Sequence, residues 1–160
     1  MQDPTPQAID AQEQVLTLRH FDALDAWWLG CHLREQAMAA GAPVAIDIRR
    51  GDTRLFSALM PGATQDNLHW TARKIALAMR FERSSYAMAL MFAAREGAFE
   101  RFGLDWATYA PAGGAVPIRL TGGTVIGAVA ISGLPQQDVD HAMVVNALAA
   151  LQAHQQGASL

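Results

Sequence analysis

The chain has 160 residues, 51% of them hydrophobic and only 17% charged, with a formal net charge of −3 at pH 7. That composition excludes a disordered chain and supports one sizeable core without disulfide or metal staples. The twelve basic side chains are unclustered, which argues against a nucleic-acid partner and against attachment to an anionic membrane; all but Lys74 are arginine, the cation that suits dry interfaces.

Residues 1–13 hold Pro4, Pro6 and little apolar bulk, and read as a flexible arm ahead of a single domain over 14–160. The first residues lack the cationic start and apolar run of a secretion signal, and Cys31 is the sole cysteine, so the expected location is cytoplasmic. The uncharged stretches 120–137 and 141–160 carry too many Gly, Gln and His to span a membrane.

Val15–Leu18 is a short strand candidate. Asp22 then caps a helix to Ala40, with Asp25 in its first turn and Gly41 and Pro43 ending it. Ala26, Leu29, Leu33, Ala37 and Ala40 form one apolar stripe on it; Leu24, Trp27, Trp28, Cys31 and Met38 form another. A helix with two apolar faces has two things to touch, which predicts a homo-oligomer, a dimer or larger, with Trp27 or Trp28 at a subunit contact. Residues 44–60 alternate as a hairpin around Gly51-Asp52. Thr64 starts a second helix to about Phe81, with Leu68, Ala72, Ile75, Ala76 and Met79 facing inward. Ser84 or Ser85 caps a third to about Arg95, with Met88, Met91 and Phe92 inward, while residues 96–111 give no clear pattern.

Two more strands, Pro117–Leu120 and Val125–Ile131, flank the turn Thr121-Gly122-Gly123-Thr124. The second is apolar on both faces and belongs at the centre of a sheet, where Gly127 marks a close approach. Pro135 opens a last helix to about His154, with Val139, Met143, Ala147, Ala150 and Leu151 in one stripe and Asp138, His141 and Gln152 on a narrow polar edge. Hairpins and two-faced helices together predict a three-layer α/β/α sandwich around a central antiparallel sheet.

Candidate chemistry is sparse. The paired glycines at 113–114 and 122–123 precede strands rather than helices, so they read as turns and not phosphate loops. Asn67, Trp70 and Lys74 share a helix face with Arg73 beside them; the face reads first as a solvated surface, and it also suits a flat anionic ligand or a subunit contact. Gly113 and Gly114 would bring backbone amides to that ligand, Ser85 and Tyr86 would line the same pocket, and His141 would stand at its mouth. Asp138 and His141 form a pair without further ligand spacing, so no metal is expected, and Cys31 reads as a small apolar residue.

Several segments carry a family resemblance. They are Gly113-Gly114-Ala115-Val116-Pro117-Ile118, then Val125 to Pro135, then Asp140-His141. Pro61-Gly62-Ala63-Thr64, Asp66-Asn67, Trp70, Arg73-Lys74, Arg80-Phe81, Ser84-Ser85-Tyr86 and Gly103-Leu104-Asp105 extend the match from about Asp22 to Leu151. The pattern resembles the haem-degrading-domain family, also called GlcG-like or haem-binding-protein-S-like, in its bacterial and fungal branch. The resemblance implies a profilin-like α/β/α sandwich, homo-oligomers, and haem or a related small ligand in some members. Many branch members carry His before the paired glycines, where this chain has Ala112, so no haem ligand is carried over.

Three functions compete on this reading. One is a small-molecule-binding oligomer with haem as the leading ligand. Another is an adaptor oligomer that binds protein partners. The third is an enzyme in which Arg73, Tyr86 and His141 act on a small anionic or carbonyl metabolite.

Overall fold

A computed structural model describes residues 3–157; the first two residues of the expected arm and the last three of the expected domain lie outside them. Five strands form one sheet in the order β1-β4-β5-β2-β3. They are β1 (Thr17–Leu18), β2 (Ala45–Arg50), β3 (Thr53–Leu59), β4 (Ala115–Leu120) and β5 (Val125–Ser132). The β2–β3, β2–β5 and β4–β5 pairs are antiparallel, as expected. The two-residue β1 joins β4 in parallel, which makes the whole sheet mixed.

β5 is the central strand, and its side chains alternate in bulk. Val129 and Ile131 join Ile46, Ile48, Val116 and Ile118 on one face, beneath helices α2 (Ala23–Ala40) and α6 (Gln137–Gly157). Ala128 and Ala130 join Ala115 on the other, beneath Ile75 and Ala78 of helix α3 (Gln65–Phe81). The expected three layers follow from this alternation. Gly127 is the close approach anticipated in β5: a Cβ there would collide with the Arg49 carbonyl of β2.

Helix ends are set locally. The Asp22 carboxylate accepts the Leu24 and Asp25 amides at 2.9 and 3.0 Å, and Asp25 returns the bond to the Asp22 amide at 2.8 Å. Gly41, at φ 61°, closes α2. Ser84 caps α4 (Ser85–Ala94) through the Ala87 amide at 3.1 Å. The unassigned stretch contains the short helix α5 (Ala98–Arg101), whose Phe99 packs on Phe92 and Trp106, with Phe81 and Phe102 completing the aromatic cluster around Phe92.

Three expectations need correction. The presumed arm contains helix α1 (Pro6–Gln14), begun by Thr5 and Pro6 and docked by Ile9 against Tyr86 and Ala87 of α4. Asp10 pairs with Arg83 at 3.0 Å there. One apolar residue in a polar helix was too weak a periodic signal to read. Helix α3 is rotated from the expected face: Thr71, Lys74, Ile75 and Ala78 are buried, whereas Leu68, Ala72, Ala76 and Met79 are only half-buried. Polar side chains can lie inward because Thr71 finds Asp47 at 3.0 Å and Lys74 finds Asp140. On α6, Val139 is exposed and His141 buried, the reverse of the expected arrangement.

Glu13 gives the α1 junction a pH dependence. Burial lifts its carboxyl from 4.5 to about 7, with Asp10 adding to the rise and Ser84 and Arg119 opposing it. The folded state therefore holds this proton more tightly, so its contribution is full below pH 4.5 and is lost as pH rises through 7. Glu13→Gln should abolish that loss and stabilise the protein at pH 8.5 by about 1–3 kcal/mol. Denaturation of both proteins at pH 6 and 8.5 checks this; parallel losses would contradict it.

Candidate functional site

At the end of β5 the two helical layers meet. Here α3, the turn at 112–114 and the loop from β5 into α6 enclose a cavity of about 290 Å³. Its walls include Asn67, Trp70, Lys74, Gly113, Gln137 and Asp140, with Leu134 and Pro135 adding apolar surface.

Lys74 is the chemical centre of this wall. Its Nζ donates to the Ile131 carbonyl and to Asp140 Oδ2, each at 3.2 Å. Both side chains are buried, at 4% and 3% exposure. Burial drives the Lys74 ammonium below its ordinary value, with Asp140 opposing. Burial also pushes the Asp140 carboxyl up to about 6, against the pull of Lys74 and the Leu134 amide. Desolvation thus outweighs the attraction within the pair, as it often does for buried ions. Asp140 Oδ1 is buried and makes no hydrogen bond of ordinary geometry among the described residues, although the Leu134 amide acts on the same carboxylate.

Gly114 makes the pair possible. It sits at φ 137°, and a Cβ would approach the Ile131 carbonyl to 2.5 Å and Lys74 Nζ to 2.9 Å. Gly113 is equally confined, since a Cβ would meet the Gln137 carbonyl at 2.6 Å. Its amide donates to Gln137 Oε1 at 3.0 Å, so it anchors α6 rather than facing a ligand. Asn67 lines the cavity but uses Oδ1 to accept the Thr64 amide at 2.8 Å, capping α3.

Of the residues expected together, the cavity gathers Asn67, Trp70, Lys74 and Gly113, with Gly114 directly behind Lys74. Arg73 lies outside: its guanidinium stacks 4.2 Å from the Trp70 ring and donates to the Trp106 carbonyl at 2.8 Å. Arg73 and Lys74 therefore form no joint clamp for carboxylates. Ser85 is buried and accepts the Ala115 amide at 3.0 Å, fixing the start of β4. Tyr86 and His141 pack with ring centroids 5.0 Å apart and planes tilted by 51°, and neither lines the cavity. His141 is 4% exposed, its Nε2 lies 3.3 Å from Gln12 Oε1 on α1, and burial lowers it to about 4. Asp140 is the residue that sequence reasoning missed. It falls on the buried 140, 144, 148, 151 stripe of α6, and that position was the available signal.

His20, Asp22 and Asp25 also cluster, but the two carboxylates are engaged at the α2 start, with His20 Nδ1 2.7 Å from Asp25. A different surface feature lies on α2, where Leu24, Trp27 and Met38 are 80%, 64% and 52% exposed. Beside them Trp28 stacks between His32 and His154, at centroid distances of 5.2 and 4.7 Å.

A family model described as haem degrading protein, HbpS-like, matches residues 21–149. A UPF0303 protein of Burkholderia thailandensis is 48% identical over 149 residues, covering 92% of this chain and 90% of its own. The solved Ybr137w protein has a TM-score of 0.88 at 31% identity, covering 97% of this chain and 91% of its own. The solved complex of PduOC with haem shares the fold, at TM-score 0.69 and 19% identity over 81% of this chain and 94% of its own.

Breaking one side of the Lys74–Asp140 pair should leave an uncompensated buried charge. Lys74→Met and Asp140→Leu should each destabilise by about 3–5 kcal/mol, and the double variant by clearly less than their sum. Chemical denaturation of the four proteins checks this, and additive losses would contradict it.

Proposed function

The chain belongs to the HbpS-like haem-degrading protein family, and on that premise we propose a small-molecule-binding protein that works as a homo-oligomer in the cytoplasm. Its ligand occupies the cavity bounded by Trp70, Lys74 and Asp140. The observation that carries this reading is the Asp140 oxygen. A buried carboxylate oxygen left without a donor is costly, and an open cavity beside it gives a ligand the means to supply one. Tyr86 and His141 pack on each other while Arg73 lies apart on the Trp106 carbonyl, so the three do not converge as the enzyme reading requires. No helix among the described residues is long and apolar enough to cross a membrane, and the single Cys31 is unpaired.

Haem is the second reading, favoured by family membership and by the fold shared with a haem-bound protein. This cavity does not fit it. Its volume is at the lower bound for drug-sized ligands, no described histidine lines it, and Asp140 would face the propionates. The imidazoles beside exposed apolar surface are instead His32 and His154, on Trp28. Haem titration of the wild type and of a His32→Ala/His154→Ala double variant, followed at the Soret band, tests this. No saturable shift in the wild type ends the haem reading.

The exposed α2 stripe supports the oligomer, since burying Leu24, Trp27 and Met38 against a copy of the chain would remove apolar surface from water. Light scattering should give a multiple of 17.2 kDa for the wild type, and Trp27→Glu should shift it toward the monomer. A wild type at monomer mass would contradict the homo-oligomer, in the ligand-binding and the adaptor readings alike. Native mass spectrometry of the protein purified from cells should find a retained small molecule that Asp140→Asn loses.

A further inference from the structure

Asp140 and Lys74 both line the cavity and keep complementary, unused hydrogen-bonding capacity. Asp140 is 2% exposed, lines the cavity, and leaves Oδ1 without a donor among the described residues. Lys74 carries three ammonium hydrogens, of which the Ile131 carbonyl and Asp140 Oδ2 take two. The cavity wall therefore offers one acceptor and one donor side by side, linked through the same carboxylate.

The balance of charge narrows what can bind. The pair is neutral as a unit. An anionic group would meet the orphan Asp140 oxygen, and a cationic group would meet the Lys74 ammonium. A neutral group that donates and accepts at adjacent atoms satisfies both without adding charge to a dry site. Around it the wall is mixed: Asn67, Ser132 and Gln137 are polar, and Trp70, Leu134 and Pro135 supply apolar surface. Arg73 stacks at 4.2 Å on the Trp70 ring and binds the Trp106 carbonyl, which holds the indole in place. A volume of about 290 Å³ admits a ligand of one or two rings.

We infer that the ligand presents a cis-amide edge, as in a lactam or cyclic urea, with its N–H on Asp140 Oδ1, its carbonyl on Lys74 Nζ and its ring against Trp70. This rests on the cavity being the ligand site and names the class of molecule it selects. The arrangement departs from the flat anion expected from the sequence because Asp140 neutralises Lys74 and Arg73 lies outside.

The test uses the full chain, isotopically labelled, titrated with three probes and followed by NMR at the Trp70 indole and the Gly113 amide. 2-Pyridone carries the cis-amide edge, N-methyl-2-pyridone lacks the donor, and benzoate replaces the edge with an anion. Saturable shifts are expected with 2-pyridone, weakened about tenfold or more in the N-methyl compound and in benzoate. Asp140→Asn should remove the preference for 2-pyridone over its N-methyl form, and the probe comparison in the wild type stands even if that variant fails to fold. Equal binding of the two pyridones, or tighter binding of benzoate, overturns the cis-amide edge while leaving the cavity a ligand site. No saturable shift with any probe overturns the edge; the cavity reading then fails too if no molecule is retained from cells.

Discussion

Lys74 leaves one helical layer and ends on Asp140 of the other. α3 covers the alanine face of the sheet, α6 covers the valine and isoleucine face, and the 3.2 Å contact joins them across the end of β5. The Ile131 carbonyl, one residue before β5 ends, accepts from the same ammonium. Three layers are thereby fixed to one another at a single polar point. Removal of either charge would strand the other in a dry site, so the pair constrains α3, the 112–114 turn and the α6 start together.

That interaction also explains which parts of the molecule were legible in the sequence. Short-range rules held wherever one residue settles its own surroundings. Asp22 with Asp25, Gly41, Ser84 and the β2–β3 hairpin appear where spacing placed them. β5 was recognisable as central because apolar residues on both faces require cover on both. The rotation of α3 was not legible. Thr71 and Lys74 look like surface residues until Asp47 and Asp140, distant in sequence, are known to wait beneath them. Helix α1 was hidden for a related reason, since Ile9 is its main apolar anchor and its other contacts are polar: the Asp10–Arg83 pair, Gln12 beside His141 and the buried Glu13.

The candidate site was half legible on the same grounds. A helix face with Asn67, Trp70 and Lys74 was visible as a concentration of function, and the paired glycines as a place of close approach. What the glycines approach differs from that expectation: Gly113 makes room for α6 and Gly114 for an ammonium, not for a flat anionic ligand. Asp140 resembled any acid in a first helical turn, and only its place on the buried stripe distinguishes it from exposed Asp138. His141 drew attention through its chemistry, yet α1 and Tyr86 enclose it.

The small residues of the sheet act at a distance on that site. Ala115, Ala128 and Ala130 set how near α3 lies to the strands, and Lys74 rides on α3. Three methyl groups therefore serve as a spacer that fixes the reach of the ammonium. A thicker face would raise the helix, stretch the bridge and admit water between the charges. The character of the cavity is in this sense written on the far side of the helix, in residues that never touch what the cavity holds.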